Sequence, residues 1–381
     1  MTQLFHVLLT TEKKKTNTII KSISFNETEI PNLRTKRAIL KEQDFNWTFP
    51  INYYIWDGIN ADSVRYALKL IEDETCIRFK EIFSLDNATG LEFVNDQGCS
   101  SFLGRVEIDR TQEVGIVCDC QSVSWIMHLV LHSLGVLHEE TRPDRNNFVF
   151  IDWNNIIKDK TNAFDIDNKS EVETFNLRYD YGSLMHSNGT AYSRNGKQTI
   201  ITRNILMYRK IGFAKKLSFN DAKLLNFYYC NTTCPQELPC NNHGYTDPNN
   251  CSKCKCLPNF VGDRCEKLKE NYEVCGPVLR YGFNKSSLLR INGIKSCNFR
   301  LKSFNGSKLR LLLESANLPK PTRCTTDTGF EVKYILDKSV LGATFCGINY
   351  YRVLTSVGDD VIIHYKGDNE NNYFKLFFWT I

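Results

Sequence analysis

Three of the seven histidines in this chain stand close together, at His128, His132 and His138. On a helix, the imidazole rings of His128 and His132 would lie one turn apart on the same face. Gly135 can adopt the left-handed backbone conformation that ends a helix and turns the chain back, which would bring His138 to the same point. Three imidazoles and one open coordination position form a catalytic zinc geometry. The stretch from 124 to 145 therefore predicts a helix, a turn and a site for one zinc ion.

The residue after the first of these histidines does not fit a working zinc peptidase. Zinc peptidases with this histidine spacing carry Glu there as the general base, whereas this chain has Leu129. Leu favours helix, so the helix should fold normally. The missing Glu is not a metal ligand, so we expect zinc binding to persist. Loss of a positioned base typically lowers a reaction rate by about 10²–10⁴-fold.

The length and charge of the chain exclude several classes of protein. Its 381 residues exceed what one compact core usually accommodates, so two or three domains are expected. The net charge is +5, from 48 basic and 43 acidic residues, and no long basic run follows Lys13–Lys15. Nucleic-acid binding therefore has no support. No uninterrupted apolar segment reaches the roughly 18 residues of a membrane span, so none is expected.

The distribution of cysteine indicates an oxidising compartment. None of the fifteen cysteines precedes Cys76, and six fall within Cys234–Cys265. Such density is typical of disulfide-bonded secreted proteins. Nine Asn-x-Ser/Thr sequons agree with a secreted glycoprotein. The apolar segment Leu4–Leu9 is short for a signal peptide and lacks a preceding basic residue. Either the sequence is truncated at its start or the signal is atypical, and we favour truncation.

Residues 1–37 end in a basic tetrad that contains Arg34, Lys36 and Arg37. The tetrad resembles a furin-type processing site, and cleavage there would make Ala38 the mature N-terminus. The alternative is a solvated basic turn without processing. Because the tetrad falls where the character of the sequence changes, we favour cleavage.

Hydrophobic periodicity predicts strands and helices around the histidines. The predicted elements are a strand over Trp47–Ile55, a helix capped by Asp62 with Val64, Ala67, Leu68 and Ile71 on its apolar face, strands over Leu91–Val94 and Val114–Val117, and the histidine helix from about Val123. Ser218 is expected to cap a closing helix that runs through Leu225 to Cys230.

The rest of the chain divides into a cysteine-rich module and a β-rich block. The spacing of Cys254, Cys256 and Cys265, with Gly262 near the end, resembles an EGF-like module, and such a small unit needs disulfides to fold. No acidic residue directly precedes its first cysteine, so we predict no calcium there. Residues 268–381 combine four cysteines with alternating apolar segments, which predict an all-β sandwich with two local disulfides. That block resembles a CUB domain, and calcium binding there is left open.

The chain as a whole resembles the astacin family of secreted zinc metalloproteases, in the layout of nematode and tolloid-like members. The resemblance lies in the histidine spacing with Gly135, the segment Glu139–Arg145 and the turn Ser183–His186. It implies an α+β fold made of a metzincin peptidase domain, a disulfide-rich EGF-like module and an all-β CUB sandwich. The implied boundaries are 1–37 for a degenerate signal and propeptide, 38–231 for the peptidase, 232–267 for the EGF-like module and 268–381 for the CUB-like domain.

The resemblance also assigns roles to individual residues. These are zinc ligation by His128, His132 and His138, a methionine turn at Met185, an ion pair of Glu139 with the ammonium group of a processed Ala38, and disulfides Cys76–Cys230 and Cys99–Cys120. Cys118 is then left over, either as a free thiol or as an alternative partner for Cys99.

Two family positions are altered in ways that bear on catalysis. The general base falls at Leu129, and the tyrosine that can ligate zinc and steady the transition state falls at Ser187. Residues 1–37 also lack the aspartate with which family propeptides cover the zinc. We therefore predict a secreted protein that binds zinc but cleaves peptides poorly or not at all, and that binds extracellular proteins or peptides through its cleft and CUB domain. The alternatives are an active endopeptidase with an unorthodox base and an adhesion or matrix protein in which the peptidase domain is only a scaffold.

Overall fold

The structure is a computed structural model that describes residues 38–43, 45–95, 98–208, 210–320, 324 and 329–381. It divides into two compact units. The first runs to Asn204 and resumes over Ala214–Cys234, and the second takes in Ile205–Phe213 and Pro235–Ile381. The predicted leader, residues 1–37, and its processing site at Arg34, Lys36 and Arg37 lie outside the described residues. Within the described ranges, no helix is both long and apolar enough to cross a membrane. The predicted domain boundaries stay predictions.

The first unit combines helices with short strands. Its elements, over the described residues, are β1 Ile39–Leu40, β2 Ile51–Ile55, α1 Ala61–Glu74, β3 Phe79–Glu81, β4 Gly90–Val94, β5 Ser100–Ser101, β6 Thr111–Gly115, α2 Val123–Ser133, β7 Val149–Ile151, β8 Val172–Glu173, β9 Ile200–Thr202 and α3 Phe219–Tyr229. Five of the strands form one sheet in the order β3-β2-β4-β6-β5. The pairs of β2 with β3, β2 with β4 and β4 with β6 are parallel, and β5 closes the edge antiparallel to β6. This is a mixed sheet that shares one core with α1 and α2.

Helix α1 begins at Ala61, one residue before the predicted cap Asp62. The side chain of Asn60, not that of Asp62, accepts the capping hydrogen bond, from the N–H of Ser63 at 3.0 Å. Asp62 lies in the first turn instead, where its charge favours the positive end of the helix dipole. Both residue types can cap a helix, so composition did not decide between them. The prediction of Asp62 as the cap was wrong.

Helices α2 and α3 form where the sequence predicts them. Helix α2 starts at Val123 and buries every residue from Ile126 to Ser133, as expected for a helix in the centre of a core. The side chain of Ser218 accepts a hydrogen bond from the N–H of Asp221 and caps α3, and Asp221 bonds back to the N–H of Ser218. This reciprocal capping box fixes the start of the closing helix.

The second unit is built from strands. They are β10 Tyr245–Thr246, β11 Cys254–Lys255, β12 Phe260–Val261, β13 Lys267–Leu268, β14 Leu279–Gly282, β15 Ser287–Asn292, β16 Ser296–Ser303, β17 Leu309–Asn317, β18 Gly329–Lys333, β19 Ala343–Phe345, β20 Ile348–Thr355, β21 Asp360–Lys366 and β22 Tyr373–Thr380. Two short hairpins, β10-β11 and β12-β13, precede a five-stranded sheet in the order β14-β16-β21-β18-β19 and a four-stranded sheet in the order β15-β22-β17-β20. The two larger sheets form the predicted all-β block.

Disulfides lie in both units. The bonded pairs include Cys76–Cys230, Cys99–Cys120, Cys240–Cys254, Cys256–Cys265, Cys275–Cys297 and Cys324–Cys346. Cys234 and Cys251 are also disulfide-bonded. The last two pairs are the two local disulfides predicted for the β-rich block. Cys118 is free and exposed.

Candidate metal centre

The three histidines of the sequence motif meet at one point. The Nε2 atoms of His128 and His132 are 3.1 Å apart, and the Nε2 atom of His138 lies 3.2 Å from each of them. These three residues form the group of possible metal ligands found in the described part of the chain. The Nε2 atoms therefore face a common position from three directions.

Local backbone geometry explains why the rings converge. His128 and His132 lie one turn apart on α2, which ends at Ser133 with Leu134 as its C-cap. Gly135 follows with a φ of +86°, and a Cβ atom there would come within 2.8 Å of Nε2 of Gln43. A side chain at this position would be both strained and crowded. The glycine lets the chain turn back so that His138 reaches the other two rings.

The Nδ1 atoms of the two helical imidazoles contact backbone carbonyl groups. Nδ1 of His128 lies 3.0 Å from the carbonyl oxygen of Leu184, and Nδ1 of His132 lies 2.9 Å from that of Val136. A carbonyl oxygen can only accept, so Nδ1 must carry the proton in both rings. Nε2 then presents its lone pair to the common position. Such outer contacts fix the tautomer and orientation of metal-binding histidines.

Burial keeps the two helical imidazoles neutral. Desolvation, assisted by the nearby His138, lowers the pKa of His128 to about 4. Desolvation and the neighbouring His128 and His138 also hold the pKa of His132 well below its usual value. Neutral imidazole is the form that binds a metal. The rings are therefore ready to coordinate a cation near neutral pH.

A buried carboxylate stands behind the third histidine. Oε1 of Glu140 lies 3.6 Å from Nδ1 of His138, and its Oε2 accepts a hydrogen bond of 3.0 Å from the N–H of Ser187. Burial alone would raise the pKa of Glu140, but His138, His186 and the hydrogen bonds from Ser187 hold it below its usual range. Glu140 is therefore ionised and ties the third histidine to the turn at Ser187. Sequence reasoning missed this role, and its only signal was an acidic residue two positions after His138.

Comparison with known proteins identifies the first unit. A model of the peptidase family described as Astacin matches residues 39–230. That match covers half of the chain and includes every residue of the histidine cluster. The chain belongs to the astacin family. The astacin-type metzincin fold predicted from the sequence is thereby confirmed for this unit.

Similar proteins include nematode zinc metalloproteinases. The chain is 34% identical over 342 residues to Zinc metalloproteinase nas-34 of Caenorhabditis elegans, covering 88% of this chain and 56% of that protein. It is 35% identical over 251 residues to Zinc metalloproteinase dpy-31 of Brugia malayi, covering 64% and 42%. Among solved structures, High choriolytic enzyme 1, a hatching enzyme zinc-protease from Oryzias latipes, is 30% identical with a TM-score of 0.42, covering 47% of this chain and 88% of that one. The chain spans about half the length of the curated relatives it matches.

The cofactor of this astacin-family chain is one zinc ion. Nitrogen ligands at 2.0–2.1 Å from a tetrahedral zinc stand about 3.3 Å from one another, close to the 3.1–3.2 Å between the three Nε2 atoms. His128, His132 and His138 would hold the ion and leave a fourth position open. Bound there, zinc supplies a Lewis acid that polarises a carbonyl group and acidifies water.

The turn that contains Met185 lies directly beside the histidines. Asp221 receives hydrogen bonds from the hydroxyl of Ser183 and the N–H of Leu184, at 2.7 and 2.9 Å. The carbonyl of Met185 accepts from the N–H of Glu139 at 3.0 Å, and its side chain is buried. These contacts attach the turn both to α3 and to the residue that follows His138.

Glu139 and Ala38 are both buried. Oε1 of Glu139 accepts a hydrogen bond of 2.7 Å from the N–H of Asp180 and lies 3.5 Å from Nη1 of Arg142. The carbonyl of Ala38 accepts from the N–H of Leu137 at 3.4 Å. The ion pair of Glu139 with a processed Ala38 stays a prediction.

Leu129 and Ser187 differ in their surroundings. Leu129 is fully buried and belongs to the apolar core that also contains Met185. Ser187 is half-buried and contacts Glu140. Within the described residues, no Asp or Glu joins the three histidines in the ligand cluster.

Proposed function

We propose that this astacin-family protein binds zinc but cleaves peptides poorly or not at all, and that it acts by binding extracellular proteins or peptides. The observation that carries this proposal is the presence of a leucine, Leu129, directly after the first zinc ligand. It stands next to the zinc ligand His128, where the family has its general base, and it packs into the apolar core. A leucine side chain has no group that can take a proton from the attacking water.

The neighbouring carboxylates do not replace the missing base. Glu140 approaches His138 from the Nδ1 side, whereas the zinc position lies on the Nε2 side. The imidazole ring therefore stands between this carboxylate and a substrate on the zinc. Glu139 is engaged with Asp180 and Arg142. A general base must lie within hydrogen-bond reach of the proton it removes, and neither carboxylate does.

Ser187 supports the same conclusion for the transition state. A tyrosine at this position can donate a hydrogen bond to the oxygen on which negative charge develops, and loss of one such donor costs about 10²–10³-fold in rate. The serine side chain is too short to replace it. The rate effects of losing the base and losing the tyrosine need not multiply, but each loss lowers the rate.

The proposed location is extracellular. Every cysteine except Cys118 is disulfide-bonded, and such bonding is rare in reducing compartments. The named relatives are zinc metalloproteinases of nematodes, and glycosylation at the sequons would follow from passage through the secretory pathway. We further propose processing after Arg37 and the four-part layout with boundaries at 37, 231 and 267.

Cleavage assays test this proposal. The purified protein would be incubated with denatured casein and gelatin beside the double variant Leu129→Glu/Ser187→Tyr, which restores both family residues. We expect no chelator-sensitive cleavage above background by the unmodified protein and clear cleavage by the variant. The matched control is Leu129→Gln/Ser187→Tyr, which has similar size but no basic carboxylate and should stay inactive.

The active endopeptidase remains the competing function, since the ligand set for zinc is complete. Strong cleavage by the unmodified protein, abolished by a chelator and restored by added zinc, would overturn the proposal in favour of this alternative. Equal partner binding by zinc-free and zinc-loaded protein would favour the scaffold role.

A further inference from the structure

The outer face of the four-stranded sheet in the second unit has an unusual composition. In a two-sheet sandwich, residues on the solvent side of each strand are normally polar, alternating with apolar residues that point inward. The inward residues of this sheet are apolar as expected, for example Leu289, Leu311 and Leu376. About half of the outward positions between them are apolar or aromatic too.

Strand register places four of these outward residues in one row. Leu288 on β15 pairs with Phe377 on β22, Phe377 pairs with Leu312 on β17, and Leu312 pairs with Val353 on β20. The row crosses the whole sheet without a polar side chain. Leu288 and Val353, at its two ends, are 52% and 56% exposed. We call these four residues the apolar row.

The neighbouring rows extend the apolar surface and add charge. On one side, Trp379 pairs with Arg310. On the other side, Arg290 pairs with Lys375, and Nζ of Lys375 lies 2.7 Å from Oε2 of Glu314 and 5.2 Å from the ring centre of Phe377. The register places Arg290, Arg310, Lys375 and Glu314 on this face, which gives a net charge of two positive units. The exposed Arg352 of β20 pairs with the inward Leu313 and is not counted here.

We propose that this face binds a partner protein whose contact surface is an apolar strip bordered by Asp and Glu. Contiguous exposed apolar surface on a folded protein marks an interaction site. Aromatic residues and arginine are the types enriched at the centre of protein interfaces. The excess of positive charge specifies an acidic partner, because complementary charge steers association and rejects surfaces of like sign.

The charge also argues against a second copy of this chain as the occupant. Two such faces packed against each other would bring together six basic and two acidic side chains, since each contributes three and one. A lipid surface fits less well, because the Glu314–Lys375 ion pair lies on the same face beside the apolar row. The proposal rests on the proposed binding role in taking an extracellular protein as the partner. It does not depend on whether the zinc site cleaves peptides.

A pair of synthetic peptides tests the chemistry of the face. In the acidic probe, Phe and Leu alternate with Glu, and in the basic probe Lys replaces every Glu. Fluorescence anisotropy should show saturable binding of the acidic probe, tighter than the basic probe by about tenfold or more and weakened by salt. The double variant Leu288→Ser/Val353→Ser should lose about tenfold or more in affinity, and Arg310→Ser should reduce the preference for the acidic probe.

Control variants separate binding from folding. Leu336→Ser removes an apolar side chain that is 59% exposed and lies outside these four strands, so it should bind the acidic probe as the unmodified protein does. Equal affinity for both probes would overturn the proposal, as would no binding, or binding unaffected by the double variant. Two further results would overturn the proposal in favour of another occupant of this face. One is dimerisation of the unmodified protein in light scattering, and the other is its attachment to phosphatidylserine vesicles, in each case abolished by the double variant.

Failure of the proposed binding face and failure of the proposed loss of catalysis give different results. The Leu129→Glu/Ser187→Tyr variant should bind the acidic probe as tightly as the unmodified protein. Casein cleavage by the unmodified protein would overturn the loss of catalysis and leave the binding face intact. If the unmodified protein neither bound the acidic probe nor cleaved casein, the binding face would be overturned and the proposed loss of catalysis would stand.

Discussion

The ligand side and the reaction side of the zinc site differ sharply in what they retain. On the ligand side, His128, His132 and His138 converge, and the outer nitrogens of the first two contact backbone carbonyls. On the reaction side lie Leu129 and Ser187, which we propose to replace the general base and the tyrosine of the family. Under the proposed function, metal binding and catalysis are separable in this fold, because they use different residues of the same helix and turn.

The largest expected effect comes from removing a ligand. His138→Ala leaves α2 untouched, because His138 follows the helix and its side chain is 13% exposed. Zinc content measured by atomic spectroscopy should fall from one equivalent to near zero, since one of three ligands is gone. His364→Ala, in the second unit, is the matched control and should keep its zinc. Retention of a full equivalent by His138→Ala would show that these histidines are not the ligand set.

A smaller effect is expected from the carboxylate behind the third ligand. Glu140→Gln keeps the size of the side chain but removes the charge that faces Nδ1 of His138 at 3.6 Å. Outer-shell changes of this kind typically weaken metal binding by about 10–100-fold. Competition with a chromophoric chelator would measure the change, and the exposed Glu113→Gln serves as the control. Unchanged affinity would mean that the backbone alone positions His138.

The smallest effect is expected from repairing only one half of the reaction side. Ser187→Tyr alone adds a hydrogen-bond donor to a centre that still lacks its base, and residues that act as a unit do not contribute independently. Casein cleavage should stay within about tenfold of background, and zinc content should not change. Ser187→Phe controls for ring size. Cleavage by Ser187→Tyr close to that of the double variant would show that the base is dispensable.

Local signals predicted the parts of the site that lie close together in the chain. Helix spacing placed His128 and His132 together, and Gly135 has the positive φ that the turn requires. Ser218 caps α3 because its capping partner is three residues away. The cap of α1 was mispredicted because Asn60 and Asp62 are both good capping residues within three positions.

Contacts between distant segments were beyond local reasoning. Glu140 reaches the N–H of Ser187, 47 residues later, and Nδ1 of His128 reaches the carbonyl of Leu184, 56 residues later. The apolar row depends on four strands that are not consecutive in the chain and on the register in which they pair. A shift of one residue moves every side chain of a strand to the other face, so alternation alone did not show which residues would stand together.

The amino-acid sequence by itself determined the zinc ligands, the turn that joins them and the presence of Leu129 directly after His128, because each depends on residue identity and short-range spacing. Only the tertiary structure decided which groups contact the Nδ1 atoms of those ligands and which side chains form the exposed face of the four-stranded sheet. Those depend on how segments far apart in the chain pack and pair, and on the burial that packing creates. For this protein, the proposed loss of catalysis depends on single residues, whereas the face proposed for binding is formed by the pairing of distant strands.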